Sequence, residues 1–373
     1  MASHPGERRG AALAAVKDLR RAGLGLRVEV LHLPLRDPFR IARSEHGAGH
    51  SVETVIVELR DDRWPGLVGL GEGYPDRYYG ETPASMAAVL PLLLDSVAGF
   101  HATPDGLRGA SERMAAALRW NGAAKCALDI ALHDLVGRIL GMPVHALLGL
   151  SAEIPPTDFT LGLDEPAIVA ERARRAGRFP ALKIKLGGFD DLATIEAVRS
   201  AYPGPLRVDA NTAWTPDGAR RLVPELERLG VVLVEQPFPA RRLDWLRDLQ
   251  AATDLPIVAD ESCVVEEDLE SLVGLVAGVN VKLAKCGGVG AAARMLARAR
   301  ELGFRTFLGC MEETSVGIAA SAAVASLAEW VDLDGCLLLA DEPFEGLELT
   351  AECRWRLSDG GGLGVRQRPL SNA

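Results

Sequence analysis

Short apolar runs alternate with helical stretches through the second half of the chain. From about residue 158, eight runs of four to six residues rich in Val, Ile and Leu are separated by seven helical segments, such as 165–176 and 291–302. One strand, one helix and two short loops take roughly 25 residues, which matches this rhythm. Eight parallel strands favour a closed barrel over an open sheet. The predicted strands are 158–163, 181–186, 206–209, 231–235, 256–260, 279–283, 305–309 and 331–334.

The first part of the chain has a different pattern. Runs at 26–41, 51–61 and 67–73 predict a three-stranded antiparallel meander, and Val55, Val57 and Leu59 share one face of the second run. Helical stretches follow at 83–98, 105–118 and 122–140. Strands followed by helices indicate an α+β domain.

These patterns divide the chain. We expect residues 1–24 to be an extension with a short helix over 11–21. Residues 25–148 are expected to form the α+β domain, completed by 343–373, and residues 149–342 the barrel.

Composition and charge narrow the range of possible binding partners. The 373 residues include 41 basic and 51 acidic side chains, and a net charge of −10 argues against binding to nucleic acid or anionic membranes. No apolar run approaches the ~18 residues of a membrane span, and the N-terminal residues lack the apolar stretch of a signal peptide. We therefore expect a cytoplasmic protein that acts on a small molecule.

The cysteines and histidines exclude several kinds of site. The six cysteines form no C-x-x-C pair, so reduced thiols are expected. All seven histidines precede residue 146, and the predicted barrel has none. A histidine-ligated zinc site or a histidine base in the barrel is therefore excluded.

Three carboxylates end consecutive predicted strands. Asp209, Glu235 and Asp260 close the third, fourth and fifth runs at steps of 26 and 25 residues. In a parallel barrel, strand ends gather at one mouth. Three inward carboxylates repel each other unless a cation joins them, and oxygen ligands select a hard ion, Mg²⁺ above all. The alternative is a set of buried salt bridges to neighbouring lysines.

Those lysines are candidate acid/base groups. Lys183 and Lys185 lie two residues apart on the second predicted strand and share a face. Lys282 lies on the sixth, so Lys185 and Lys282 face each other across the barrel. Two bases on opposite sides of one carbon can remove a proton from one face and return it on the other. Lys285 could replace Lys282, and all of these lysines could instead be structural partners of the carboxylates.

Two further groups belong to the predicted mouth. Asp332 and Asp334 end the eighth strand as a pair suited to a cationic substrate group, or else serve as a helix cap and a turn residue. The loop that closes the seventh strand brings Met311 toward the mouth, with Glu312 or Glu313. The glycine-rich stretch 286–290 suits a plain turn as well as a phosphate loop.

The motifs together resemble the muconate-lactonizing subgroup of the enolase superfamily. They are Lys-Ile-Lys at 183–185, Asp-Ala-Asn at 209–211, Glu-Gln-Pro at 235–237, Asp-Glu-Ser at 260–262 and Lys-Leu-Ala-Lys-Cys-Gly-Gly at 282–288. The resemblance implies an α/β fold, a modified (β/α)₇β TIM-type barrel with an N-terminal α+β capping domain, and a homo-oligomer.

The same resemblance implies roles for individual residues. Mg²⁺ would be held by Asp209, Glu235 and Asp260, with Lys185 and Lys282 as the acid/base pair and Lys183 and Asn211 beside them. The shared step is removal of a proton α to a carboxylate through a metal-stabilised ene-diolate.

The Asp332-x-Asp334 pair is similar to that of dipeptide epimerases, where it implies a site for the substrate ammonium group. The expected reaction is inversion at the C-terminal residue of an L,L-dipeptide. The alternatives are another reaction of the subgroup, namely o-succinylbenzoate synthesis, N-acylamino-acid racemisation or muconate cycloisomerisation, and a non-catalytic metal-binding protein.

Side-chain preference stays open at this stage. Ala-Glu epimerases carry an arginine one place after Arg43, where this chain has Ser44. Arg43 could still favour acidic side chains. Alternatively, cationic side chains would be favoured by Glu45, Asp76 or Glu81, and aromatic ones by Tyr78 and Tyr79.

Overall fold

The N-terminal part of the molecule is built on an antiparallel sheet. The computed structural model describes residues 12–46, 51–188 and 190–369. Four strands lie in chain order across this sheet, and a short hairpin of Phe39–Ile41 and Ser44–His46 follows the second. The four strands are Ala12–Arg21, Leu24–Pro34, Ser51–Asp61 and Gly69–Gly73.

The short helix predicted over 11–21 is wrong, because Ala12–Arg21 is the edge strand of this sheet. The chain reverses through Ala22 and Gly23, whose φ angles are 47° and 82°, and Arg21 then pairs with Leu24. Two left-handed residues in a row are typical of a tight β-hairpin. Pairing along Leu24–Pro34 therefore overrides the helical preference of the alanine-rich segment, and part of the expected extension belongs to the sheet.

Three helices cover one face of the sheet, as predicted. They are Pro83–Ser96, Pro104–Ala117 and Gly122–Leu140. Thr82 and Thr103 cap the first two through their side chains, which satisfies amide groups that a helix start leaves unpaired. The one-turn helices Arg77–Tyr79 and Val144–Leu147 flank this group.

The third helix, Gly122–Leu140, lies directly on the main chain of the last strand. Gly69, Gly71 and Gly73 alternate along that strand and face the helix. A Cβ atom on any of them would lie 2.0–2.2 Å from a helix carbonyl oxygen, far inside van der Waals contact. The oxygens concerned belong to Ala131, Ala127 and Ala123.

The second half of the chain is a parallel barrel, as the sequence predicts. Neighbouring strands pair in chain order, and a parallel bridge between Thr157 and Val331 joins the last strand to the first. The eight barrel strands, numbered one to eight, are Phe159–Leu161, Leu182–Lys185, Leu206–Asp209, Val231–Glu235, Ile257–Ala259, Gly278–Val281, Arg305–Gly309 and Trp330–Asp332.

Helical connections follow the first seven barrel strands, and only the single turn Gly335–Leu338 follows the eighth, which confirms the (β/α)₇β form. The connecting helices are Pro166–Arg175, Asp191–Ala201, Pro216–Arg228, Leu243–Gln250, Leu269–Leu272, Leu283–Cys286 with Val289–Glu301, and Ser315–Ala322. Short 3₁₀ turns lie at Glu266–Asp268 and Ala325–Leu327.

The C-terminal segment returns to the first helical layer. It contains the strand pairs Phe344–Glu345 with Arg366–Gln367 and Glu348–Leu349 with Trp355–Arg356. The carboxylate of Asp134, in the helix Gly122–Leu140, accepts a hydrogen bond of 2.8 Å from the amide of Leu363. Within the ranges that the structure describes, no helix combines the length and apolarity needed to cross a bilayer.

Candidate active site

Three buried carboxylates meet at the C-terminal mouth of the barrel. Asp209 and Glu235 are paired neighbours at the ends of strands three and four, and Asp260 follows strand five. One oxygen from each lies within 4.8 Å of the others, and the three residues are at most 1% exposed. Carboxylate oxygens at this spacing suit a hard divalent ion.

The hydrogen bonding of Glu235 supports that fit. Its Oε1 accepts a hydrogen bond of 2.8 Å from Asn280, whereas its buried Oε2 has no hydrogen-bond partner. Lys183 Nζ lies 2.9 Å from Oε2, but as an ion pair without hydrogen-bond geometry. A buried oxygen with a free lone pair is a natural metal ligand.

Lysines flank the carboxylates on both sides. Lys185 Nζ lies 2.7 Å from Asp209 Oδ2, and Lys282 Nζ lies 2.9 Å from Asp260 Oδ2. The two lysines come from strand two and from the end of strand six, on opposite sides of the barrel. Both ammonium groups are therefore held against the carboxylate cluster from opposite directions.

Burial and charge act against each other on these groups. Burial opposes ionisation of Asp209, but attraction by Lys185 and Lys183 outweighs it and lowers the pKa to about 2. For Glu235, burial and the charge of Asp209 prevail over Lys183 and raise the pKa to about 8. The neighbouring lysines therefore do not offset the burial of Glu235, and a divalent cation would supply further positive charge beside it.

Lys285 has a positional role that sequence reasoning missed. Its ammonium group is fully buried and pairs with Asp260. It also donates to the carbonyl oxygens of Asp260 at 2.8 Å, Cys263 at 3.0 Å and Asn280 at 2.8 Å. Lys285 therefore fixes Asp260 and does not face the cleft. The sequence signal for this role was the position of Lys285 in a helical turn after strand six, and not on the strand itself.

Asp332 and Asp334 lie together on the other side of the mouth. Asp332 pairs with Lys183 at 3.0 Å and accepts a hydrogen bond of 2.9 Å from the hydroxyl of Thr160. Asp334 accepts one of 2.6 Å from the Thr160 amide, and burial followed by the charge of Asp332 raises its pKa well above the usual value. Thr160, whose polar side chain interrupts an apolar strand, is a second residue that sequence reasoning missed.

One cleft at the barrel mouth brings most of the predicted residues together. Arg43, Asn211 and Met311 line it, as do all three candidate lysines. Asp209 and Glu235 do not line it directly, but they contact the lining residues Lys185 and Lys183. The remaining lining residues are Phe39, Ile41, Tyr74, Asp76, Tyr79, Thr160, Asp260, Cys310, Glu312, Asp332, Asp334 and Leu338.

The arginine of the capping loop is already paired. Arg43 forms an ion pair with Glu261, a residue that sequence reasoning did not single out. Asn211 Nδ2 lies 3.4 Å from the same Glu261 oxygen. The Arg43 guanidinium also lies 4.2 Å from the ring centroid of Tyr78, which explains why Tyr78 packs beside the cleft and does not line it.

The other candidates for side-chain specificity differ in whether they line the cleft. Asp76 and Tyr79 line the cleft, but Glu81 does not, because its carboxylate accepts a hydrogen bond of 2.9 Å from the Ala123 amide at a helix start. The side chain of Glu45 lies outside the described residues. In the glycine-rich stretch 286–290, the Gly290 amide donates a hydrogen bond of 3.2 Å to Asp129. This amide is therefore bound within the protein and is not available to a phosphate group.

A second group of carboxylates, here called the seam cluster, consists of Glu72, Glu313 and Glu342. Glu72 lies on the strand Gly69–Gly73 of the N-terminal sheet. It accepts hydrogen bonds of 2.8 Å from the Thr54 hydroxyl and the Gly317 amide. It also accepts one of 2.9 Å from the Thr314 amide. Of the two glutamates after strand seven, Glu312 therefore lines the cleft, and Glu313 belongs to the seam.

Two family models match the chain. The mandelate racemase/muconate lactonizing enzyme N-terminal domain matches residues 26–149, and the enolase C-terminal domain-like model matches residues 167–369. The gap between the two matches, residues 150–166, follows the helical layer and contains the first barrel strand.

Similar proteins cover nearly the whole chain. An L-Lys-D/L-Arg epimerase of Methylococcus capsulatus is 37% identical over 91% of this chain and 98% of its own. The dipeptide epimerase of Enterococcus faecalis, solved with Mg and L-Leu-L-Tyr, has a TM-score of 0.83 at 33% identity and covers 94% and 99% of the two chains. The substrate-liganded L-Ala-D/L-Glu epimerase of Bacillus subtilis has a TM-score of 0.86 at 30% identity, over 92% and 99%.

Proposed function

The chain belongs to the mandelate racemase/muconate lactonizing enzyme family of the enolase superfamily, and on that premise we propose that it is a Mg²⁺-dependent dipeptide epimerase. The reaction is inversion at the α-carbon of the C-terminal residue. The observation that carries the proposal is the placement of Lys185 and Lys282 on opposite sides of one carboxylate cluster.

The carboxylate cluster is the proposed metal site. Asp209, Glu235 and Asp260 would hold the ion, and Glu235 Oε2, which has no hydrogen-bond partner, is available as a ligand. When bound, Mg²⁺ would supply positive charge that stabilises the charge developing on the substrate carboxylate. It would also offset the charges of Asp260 and Glu235, which outweigh burial and raise the pKa of Lys282.

The lysines perform the proton transfer. One of Lys185 and Lys282 removes the α-proton, and the other delivers a proton from the opposite face; the roles exchange in the reverse direction. Lys183 lies deeper, between Glu235 and Asp332, where it holds these carboxylates in place and adds positive charge beside the substrate carboxylate.

Asp334 selects the dipeptide class. Asp332 is already paired with Lys183, whereas no lysine or arginine of the described ranges pairs with Asp334. A free α-ammonium group supplies that missing cation, and an N-acylated or purely anionic substrate does not. This favours dipeptides over the other substrates of the subgroup.

Proton exchange in D₂O tests the proposal. Pooled L,L-dipeptides incubated with enzyme and Mg²⁺ should gain one deuteron, detected by mass spectrometry. The double variant Lys185→Ala/Lys282→Ala, prepared in parallel, lacks both proposed bases and controls for contaminating epimerases. Absence of a mass shift in every pool would contradict the dipeptide assignment, and N-succinyl amino acids and cycloisomerase substrates would then be assayed.

Three expectations remain predictions. They are the domain division at 25–148 and 149–342, a homo-oligomeric state and a cytoplasmic location. Light scattering during size-exclusion chromatography measures the oligomeric state directly, and cell fractionation measures the location.

A further inference from the structure

The charges that line the cleft are unevenly paired. Arg43, Lys183, Lys185 and Lys282 are its four cationic side chains, and each already forms an ion pair with a carboxylate. The cleft therefore holds no cation free to receive an acidic substrate side chain. In particular, Glu261 occupies Arg43, which had been the candidate for that role.

In contrast to these cations, three carboxylates that line the cleft are not ion-paired within the described part of the chain. Asp334, Glu312 and Asp76 line it, but none is ion-paired with any lysine or arginine among residues 12–46, 51–188 and 190–369. The proposed function assigns Asp334 to the α-ammonium group. Two acidic side chains thus remain without a counter-charge.

Glu312 is the more constrained of the two. It is only 8% exposed. Tyr74, itself 5% exposed, lies near it, and burial followed by the charge of Glu312 raises the pKa of the Tyr74 phenol well above its usual value. Tyr74 also lies close enough to Asp76 for that charge to raise the pKa of its phenol, after burial and Glu312. The tyrosine is thus placed between the two carboxylates on one wall of the cleft.

This wall adjoins the site of the α-ammonium group. A Cβ atom on Gly335, next to Asp334, would lie 2.2 Å from the Met311 carbonyl oxygen and 2.9 Å from the Glu313 amide. The turn after strand eight is therefore packed directly on the loop that carries Glu312. In the proposed binding mode, a side chain on the carbon that bears the ammonium group would lie beside this wall.

From these contacts we propose that the enzyme prefers dipeptides whose N-terminal residue is lysine or arginine, with Glu312 and Asp76 binding the side-chain cation. The inference rests on the proposed function and narrows its substrate class. A neutral side chain would leave the Glu312 carboxylate desolvated without a counter-charge, and an acidic one would add repulsion.

Matched substrates test the preference. L-Lys-L-Ala and L-norleucyl-L-Ala have similar shapes and differ in the side-chain ammonium group. Wild-type kcat/KM, measured by deuterium exchange with Mg²⁺, should be about tenfold or more higher for the lysine dipeptide, as expected for a charge-assisted contact. L-Ala-L-Lys, which moves the cation to the other residue, should be a poorer substrate than L-Lys-L-Ala.

Two isosteric variants assign the effect. Glu312→Gln should lower kcat/KM for the lysine dipeptide, through KM, by more than it changes kcat/KM for the norleucine dipeptide, so that the ratio of the two values falls toward one. Asp76→Asn should lower this ratio by a smaller factor. Glu329→Gln, at the opposite end of the barrel and partly exposed in a surface pair with Arg305, is the control and should match wild type on both substrates.

Each contrary result has a distinct meaning. Equal wild-type rates on the two matched substrates would overturn the cationic preference and leave the epimerase assignment intact. Equal losses on both in Glu312→Gln would show a structural role for Glu312, and a preference for L-Ala-L-Lys would overturn the N-terminal placement. Failure of every dipeptide to exchange would remove the proposed function itself and this inference with it.

Discussion

Two groups of buried carboxylates, at the barrel mouth and at the seam cluster, are stabilised by different partners. At the mouth, Asp209 and Asp260 are in direct contact with lysine ammonium groups. At the seam, Glu72 and its neighbours are held by amides and hydroxyls, and no lysine or arginine in the described part of the chain pairs with them.

The difference appears in the pKa values. Lysines outweigh burial at Asp209 and lower its pKa to about 2. At the seam, burial and the charge of Glu72 raise the pKa of Glu313 to about 8. Burial likewise raises that of Glu342 to about 7. Desolvation alone favours the neutral acid, so a buried carboxylate stays ionised only where a cation is supplied. Glu235 at the mouth, whose pKa burial raises to about 8, resembles the seam carboxylates in the absence of a further cation. The contrast therefore lies between the lysine-paired Asp209 and Asp260 and the seam.

Removing a lysine from the mouth should produce the largest effect. Lys282→Ala deletes one of the two proposed acid/base groups and should lower epimerisation by roughly 10³-fold or more, in the range of lost general-base catalysis. Exchange of the α-proton from a single enantiomer should survive, because Lys185 remains. Polarimetry and deuterium exchange measure the two rates separately.

Full epimerase activity in Lys282→Ala would end the two-base proposal. Lys285→Ala offers a comparison, since Lys285 contacts Asp260 but not the cleft. It should weaken the metal site without separating epimerisation from exchange.

Glu235→Gln alters the mouth without changing its size. The substitution removes the anionic Oε2 that lacks a hydrogen-bond partner and should weaken Mg²⁺ binding by more than the roughly 10–100-fold typical of groups that only support a ligand. Isothermal titration calorimetry with Mg²⁺ measures this, and Glu342→Gln at the seam serves as the control. Unchanged affinity would exclude Glu235 as a ligand.

Asp334→Asn separates substrate classes. The variant should lower kcat/KM for dipeptides by about 10- to 100-fold through loss of a buried charge pair with the ammonium group, and N-acylated analogues should be affected far less. Side-by-side exchange assays on both substrates give the comparison. Losses of equal size would contradict the ammonium role.

Glu313→Gln probes the seam and should have the smallest effect. The folded-state pKa of Glu313 is raised from 4.5 to about 8, first by burial, so its stabilising contribution is complete below about pH 4.5 and disappears as pH rises through 8. Because glutamine does not titrate, the free energy of unfolding should fall less steeply between pH 5 and 8, by up to ~1.4 kcal/mol per pH unit.

Urea unfolding at several pH values tests that slope. Glu329→Gln, partly exposed on the surface, should retain the wild-type slope. An unchanged slope in Glu313→Gln would show that the seam carboxylate is ionised in the folded protein, and the contrast with the mouth would not hold.

The barrel and its charges were predictable because their cause is local. Each strand is a short apolar run, and a charged residue at its end reaches the mouth in any parallel barrel. Asp209, Glu235, Asp260 and the flanking lysines could therefore be placed from spacing alone, and the structure brings them together.

The remaining features depend on contacts between distant segments. The strand Ala12–Arg21 was predicted as helix because its alanines favour helix locally, whereas its partner strand determines its conformation. The pairing of Arg43 with Glu261 joins residues 218 positions apart, and no local pattern distinguishes Glu312 in the cleft from Glu313 at the seam.

The glycines of the strand Gly69–Gly73 have a consequence for how specificity can change. Because carbonyl oxygens of the helix lie directly against the main chain of this strand, side-chain rotation has little influence on the spacing. The strand leads directly to Tyr74 and Asp76, so one wall of the cleft inherits a position set independently of its own side chains. Substitutions at positions 76, 79 or 312 can therefore change the substrate preference one side chain at a time, because the main chain of this wall keeps its position.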